Sequence, residues 1–309
     1  MRHRKLGSTD LEVSEVGVAV APLTRGRAPL ADEDVLRLTR AALDLGITFF
    51  DAEDAGGDDG RAETLLGEAL RRERDRVTVA TTFGYRPLSP LEQATSGERR
   101  RHDWSVAWAA RALDQSLSRL RLEPVDLWQL HHPGMRTIES DELFAFLEEQ
   151  VAKGKIRAYG VALGPGTGWA DEGVAALRER LVAAVRTRYS VFEQDPGREL
   201  AAVAGETGAA MVARMPVDAS APDARLGLLD FLTADRDQTL SQALVRFALA
   251  LPQVAVALPA FDDADRLGEL ALASELPGLT PDDLDRVAER YEAGFELEDR
   301  GRQDVEDEA

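Results

Sequence analysis

Gly46-Ile47-Thr48-Phe49-Phe50-Asp51-Ala52-Glu53-Asp54-Ala55-Gly56-Gly57 decides how this 309-residue chain is read. β-Branched and aromatic residues run into an acid and then into small residues, the pattern of a buried strand with Asp51 at its C-terminal end. A second run, Val125-Asp126-Leu127-Trp128-Gln129-Leu130-His131-His132-Pro133, delivers His131 in the same way. A carboxylate buried without a partner is costly, so Asp51 needs a cation or a proton close by. An acid and an imidazole at the ends of two parallel strands are the start of an active site.

On either side of these two runs the chain settles into a repeating rhythm of apolar strand, loop and helix with apolar residues at 3–4 spacing. Strands are expected near 16–20, 48–51, 77–81, 126–130, 158–162, 184–189, 210–214 and 255–258, with a helix after each and a last helix at 281–291. Thr280 ahead of Pro281 reads as the N-cap of that last helix. Eight β-then-α units joined by right-handed crossovers close naturally into an α/β (β/α)8 TIM barrel, with function at the C-terminal ends of the strands. Before them, residues 1–15 alternate around Gly7-Ser8-Thr9-Asp10, an N-terminal β-hairpin that would close the floor. An open doubly wound sheet would announce itself by a G-x-G-x-x-G turn after the first strand, and the chain there reads Ala21-Pro22-Leu23-Thr24-Arg25-Gly26. Residues 1–295 are expected to form a single barrel domain, and the acidic residues 296–309 a disordered tail.

Composition excludes several classes of function. With no cysteine, the chain has neither disulfides nor thiolate chemistry, and no metal is expected. No apolar run approaches the roughly 18 residues of a membrane span, and Met1-Arg2-His3-Arg4-Lys5 is not followed by a signal-like apolar segment, so a cytoplasmic location is expected. A net charge of −19 argues against nucleic acid or an anionic membrane as partner. The expected partner is a small-molecule substrate. The only lysines are Lys5, Lys153 and Lys155, and all three belong to the barrel floor, so none can serve the mouth.

Four further stretches join the two strand ends. They are Leu65-Leu66-Gly67-Glu68-Ala69-Leu70, Gly154-Lys155-Ile156-Arg157-Ala158-Tyr159-Gly160-Val161, Tyr189-Ser190-Val191-Phe192 and Arg198-Glu199-Leu200. Together these motifs resemble the aldo-keto reductase superfamily along nearly the whole chain, from Gly46 to about Leu270. The resemblance implies the barrel. It also implies hydride transfer from NADPH to a carbonyl by a tetrad of aspartate, tyrosine, lysine and histidine. In it the tyrosine protonates the forming alkoxide, the lysine assists it, the aspartate holds the lysine and the histidine orients the carbonyl. Asp51 and His131 match by position, but the tyrosine position is Gly56 and the lysine position is Thr82. Tyr85 is the one candidate for a migrated donor. The positions that hold and stack the nicotinamide read Ala162-Leu163, Arg186 and Arg214, and the 2′-phosphate site after the eighth strand reads Pro259-Ala260-Phe261-Asp262-Asp263. A carboxylate repels a phosphate.

These departures set the expectation of an enzyme that has lost NADPH-dependent reduction and uses no cofactor. It would instead perform acid–base chemistry, such as elimination, isomerisation or cyclisation, on a small anionic metabolite. Asp51 and His131 would carry proton transfer, and Glu53, Asp54, His132, Arg186, Arg188 and Arg214 would bind substrate. Arg186 and Arg188 alternate and so share one face of their strand; the opposite phase would turn Val185, Thr187 and Tyr189 inward. Two alternatives stand beside this reading: an NADP-dependent reductase with migrated catalytic residues, and a non-catalytic binding protein. Gly164-Pro165-Gly166-Thr167-Gly168-Trp169 reads as a phosphate cradle or as an ordinary βα loop, and Arg99-Arg100-Arg101-His102-Asp103-Trp104 as a helix-entry loop or pocket lid.

Overall fold

Alternation of side chains along each strand decides which residues reach the barrel interior and which meet the helices. The computed structural model describes residues 1–25, 28–53, 60–96, 100–164, 169–216, 224–234 and 236–295. The strands in chain order are β1 (His3–Lys5), β2 (Glu12–Ser14), β3 (Val18–Ala19), β4 (Phe49–Asp51), β5 (Thr78–Phe83), β6 (Tyr85–Pro87), β7 (Arg100–His102), β8 (Val125–His131), β9 (Ile156–Ala162), β10 (Ala184–Arg188), β11 (Ala210–Arg214) and β12 (Val254–Leu258). Eight of them form one parallel sheet in the spatial order β3-β4-β5-β8-β9-β10-β11-β12. A parallel bridge from Val16 to Ala257 joins the two ends, with the Gly17 amide donating to the Ala257 carbonyl at 2.9 Å. The fold is therefore the expected (β/α)8 barrel, and the β1–β2 hairpin lies under it.

The interior is a layered core. Phe49, Ala80, Leu127, Ala158, Ala184 and Ala210 pack there against Leu6, Leu11 and Val13 of the hairpin, which plug the floor. Their neighbours in sequence, Phe50, Val79, Trp128, Val185 and Met211, face outward into the larger cluster beneath the helices. Moving two residues up each strand from the interior layer reaches Asp51 on β4, Thr82 on β5, Gln129 on β8, Gly160 on β9 and Arg186 on β10. Polar groups thus begin where the apolar plug ends. The aspartate near the start of β8 is structural: Asp126, fully buried, accepts from the Val79 amide at 2.7 Å and pairs with Arg74 at 2.8 Å.

Thr280 caps the last helix as expected, with Pro281 opening it, and Ser105, Ser140 and Thr239 cap theirs. Several short pieces were not expected, among them the β6–β7 sheet after β5, the helix Pro90–Ser96 between those two strands, the short helices Ala21–Arg25 and Met135–Ile138, and 3-10 stretches at Arg74–Arg76 and Ala224–Leu232. The acidic segment 296–309 lies outside the described residues. Among the described residues no helix is long and apolar enough to cross a membrane, and no group of acids and histidines is arranged to hold a metal ion.

Candidate active site

β4 ends on Asp51, which is fully buried, and β10 brings Arg186 to it from across the barrel. The Arg186 Nη1 donates to Asp51 Oδ2 at 2.5 Å, and its Nη2 pairs with Glu53 Oε2 at 3.1 Å. Arg186 is itself only 3% exposed, so the strand phase is the one that turns Ala184 and Arg186 inward and Val185 outward. The partner Asp51 requires is thus an arginine from a strand far along the chain. Thr82, at the position where the resemblance implies lysine, lies on the strand paired with β4, and its buried hydroxyl has no hydrogen-bond partner.

Glu53 links a second arginine into the same network. Its Oε1 pairs with Arg25 Nη2 at 2.6 Å, and its amide donates to Asp51 Oδ1 at 3.1 Å. Burial by itself would raise the Glu53 carboxyl, but Arg186, with Arg214 and Arg25 behind it, holds it well below the usual carboxylate range. Burial works against the Arg186 charge as well, and Asp51 and Glu53 more than offset it, so the guanidinium stays protonated.

His131 ends β8 with its ring 3.9 Å from Glu53 Oε1, and neither ring nitrogen has a hydrogen-bond partner. Burial pushes it well below its ordinary value, Arg186, His132 and Arg214 push the same way, and Glu53 opposes them. His132 lies tilted beside it, 4.0 Å between ring centroids, and is pushed down to about 4, again chiefly by burial. Both imidazoles are neutral at physiological pH. His131 is thereby a hydrogen-bonding group aimed at a ligand rather than a side chain that titrates near neutrality.

Arg214 ends β11 and makes no ion pair among the described residues; burial depresses it, and Glu53 is its main electrostatic support. Among the described residues, two carboxylates, Asp51 and Glu53, face three guanidiniums, Arg25, Arg186 and Arg214, which leaves one positive charge over among them. Arg188, expected as a third receptor cation, is drawn instead to Glu193 at 2.7 Å. Asp54 and Gly56 lie outside the described residues, as do residues 165–168 of the glycine-rich loop. Gly164 of that loop serves packing, because a Cβ there would stand 2.2 Å from the Trp169 ring.

Backbone strain marks the same place. Glu53, His132 and Met215, at the ends of β4, β8 and β11, are three of six non-glycine residues with positive φ among the described residues (51°, 58° and 53°). Such conformations cost free energy and gather where side chains must be aimed. Sequence reasoning also missed Arg25, whose pairing with Glu53 joins residues 28 apart and leaves no local signal.

A cavity of about 290 Å³ opens between the ends of β11, β12 and β3. Its walls are apolar at Ala19, Pro22, Leu258 and Phe261, and the charged Arg25, Glu53 and Arg214 complete the lining. That lining fits part of a nicotinamide cofactor: flat apolar surfaces for a ring, and in Arg214 a planar cation on which a ring can stack. Beyond Phe261, Asp263 is occupied as the cap of the helix Ala264–Leu272, accepting from the Arg266 amide at 2.7 Å, while Asp262 is exposed.

A closed (β/α)8 barrel whose strand ends gather a carboxylate, a neutral imidazole and a ring-sized apolar slot defines a class of barrel enzymes that act on small molecules at the mouth. Residues 18–292 match the Aldo/keto reductase family, and the chain belongs to that family. Among curated relatives, the 6-dehydroglucose reductase of Novosphingobium aromaticivorans is 36% identical over 164 residues, about half of each chain (49% and 50%). The oxidoreductase YqkF of Bacillus subtilis is 28% identical over 309 residues, covering 92% of this chain and 94% of that one. The pyridoxal 4-dehydrogenase of Microbacterium luteolum is 29% identical over 244 residues, 68% of each. In fold, an aldo-keto reductase of Bacillus halodurans in holo form superposes with a TM-score of 0.78 at 24% identity, over 94% of this chain and 96% of that one.

Family membership overturns the expectation of a site without cofactor, since hydride transfer from a nicotinamide is what this family does with the barrel mouth. Two physical reasons explain the error. With Thr82 offering no cation, Asp51 is paired by Arg186 from another strand, and one of the two acids beyond Phe261 is a helix cap.

Proposed function

We propose that this chain is a nicotinamide-dependent oxidoreductase that reduces a small carbonyl compound, with its catalytic charge network rebuilt around Arg186. The observation that carries this reading is the buried Arg186–Asp51 pair, near a neutral His131 and joined through Glu53 to the lining of a ring-sized slot. Asp51 anchors Arg186, and Arg186 keeps a positive charge next to the oxygen on which negative charge develops. His131, with both nitrogens unpartnered, donates a hydrogen bond to that oxygen. Arg214 and the apolar walls would hold the cofactor ring, and the cofactor when bound supplies the hydride. The names of the relatives, a reductase of 6-dehydroglucose and a dehydrogenase of pyridoxal, support carbonyl–alcohol interconversion as the reaction class.

The surplus positive charge at the mouth supports a finer expectation, that the substrate carries an anionic group within reach of Arg214. Titration of the protein into NADPH and NADH, followed by cofactor fluorescence, tests the reading. A dissociation constant in the micromolar range for either supports it. Failure of both to bind at moderate salt would remove it.

A further inference from the structure

We infer that Tyr85, carried over the mouth by the β6–β7 sheet, is the proton donor of the reaction; this rests on the reductase reading above. The chain has four tyrosines, and three are committed elsewhere. The Tyr159 hydroxyl donates to the Arg180 carbonyl at 3.4 Å, the Tyr291 hydroxyl donates to Asp195 at 3.0 Å, and Tyr189 is buried against Phe247. Tyr85 is half-buried, and its ring meets His131 edge-on, with centroids 5.4 Å apart and planes at 73°. A carbonyl oxygen accepting from His131 would therefore lie close to Tyr85, the one tyrosine ring in contact with His131 among the described residues.

Tyr85 is also held in place. Gly84 turns the chain at φ 131°, and a Cβ there would stand 2.2 Å from Trp104, so that ring packs directly on the turn. Tyr85 pairs in register with His102 and stacks on its ring at 4.1 Å. The Arg100 guanidinium sits 4.3 Å over the Tyr85 ring and brings a positive charge to the phenol. Arg86, the next residue, pairs with Glu92 at 3.0 Å and with Asp103 at 3.6 Å, which ties the small sheet to the helix Pro90–Ser96 and to the residues that follow β7.

The step balances with the cofactor as hydride source. The carbonyl carbon gains a C–H bond, the C=O π pair moves onto oxygen, and the Tyr85 O–H bond breaks as its proton passes to that oxygen. The phenolate then recovers a proton from water. His131 holds the oxygen, and Arg186 stands by as the nearby buried cation.

The test uses the full chain with its preferred nicotinamide and a panel of small aldehydes. Tyr85→Phe removes only the hydroxyl, so the melting temperature and cofactor dissociation constant should stay at wild-type values. Its kcat should fall at least about a hundredfold, the scale of a positioned proton transfer, with KM little changed. Tyr85→His, which is less like tyrosine in shape but can donate a proton, should recover part of the turnover that Phe loses. A Tyr85→Phe enzyme with kcat within about threefold of wild type would overturn the assignment while leaving the reductase reading intact. So would a His102→Gln variant that loses turnover when Tyr85→Phe does not. Wild-type protein that binds neither cofactor would overturn both.

Discussion

Replacing Arg186 by glutamine should be the most damaging single change at the mouth, and its size can be worked from burial. Arg186 is 3% exposed, Asp51 fully buried, and Glu53 is held by the same guanidinium. Removing one partner of a buried ion pair leaves an uncompensated charge and costs about 3–5 kcal/mol. In a barrel of this size each kcal/mol lowers the melting temperature by about 2 °C, so a drop of roughly 6–10 °C is expected. The loss should depend on pH with a definite sign. Glu53 is depressed in the folded protein, so it stabilises the fold above the ordinary value of 4.5, and that contribution fades as pH falls through its lower folded value. Without Arg186 the depression weakens, because its largest cause is gone and only His131, Arg214 and Arg25 remain. The penalty should therefore be full at pH 7 and shrink below about 4.5, where the stranded carboxylate takes up a proton.

Thr82→Lys in the same chain should repair much of the damage, because Thr82 lies on the strand paired with β4 and its side chain has no partner to lose. Chemical denaturation monitored by circular dichroism across this pH range, on the wild type, both single variants and the double variant, gives the coupling directly. A loss of less than about 1 kcal/mol for Arg186→Gln at pH 7, or no rescue by lysine, would mean that Asp51 and Glu53 do not depend on Arg186 for their charge balance.

Three other outcomes follow from the same charges. His132 is depressed to about 4, with His131 depressed beside it, so the unfolded chain binds more protons than the fold between about 4 and 6.5; stability should rise with pH across that window, and His132→Gln should flatten the rise in pH-dependent melts. The surplus cation at Arg214 disfavours a positively charged ring, so the reduced cofactor should bind more tightly than the oxidised one, and Arg214→Gln should narrow the ratio in paired calorimetric titrations. Asp262 is exposed and free to be replaced, so Asp262→Arg should tighten NADPH several-fold without touching NADH, an effect on the order of 1 kcal/mol that weakens with added salt.

The barrel was legible because its signals are local and repeated: each strand is an apolar run ending at a polar residue, and each helix shows its own periodicity and cap. Asp51 and His131 were legible for the same reason, since a polar residue at the end of an apolar strand has few places to go. Arg186 was legible as a position but not as a role. Whether it faced inward depended on strand phase, and that it meets Asp51 depends on barrel closure, which brings β4 and β10 together across 135 residues. Counting Gly56 and Thr82 as losses treated each position separately, although a charge needed at a barrel mouth can come from any converging strand. The β6–β7 sheet left almost no trace, because strands of three residues with arginine, proline and histidine have no apolar alternation to read. That sheet nonetheless carries Tyr85 and His102 to the mouth.

The proposed transfer of a hydride between a nicotinamide and a carbonyl at this mouth can be followed atom by atom. It is tested most directly by supplying reduced cofactor deuterated at the transferring carbon, together with a panel of small aldehydes, and examining the products by mass spectrometry and NMR. Deuterium on the new carbinol carbon, absent with Arg186→Gln protein that still folds, is the predicted result. Turnover of a substrate with no deuterium transferred, or no cofactor consumed against any carbonyl offered while both nicotinamides fail to bind, would contradict it.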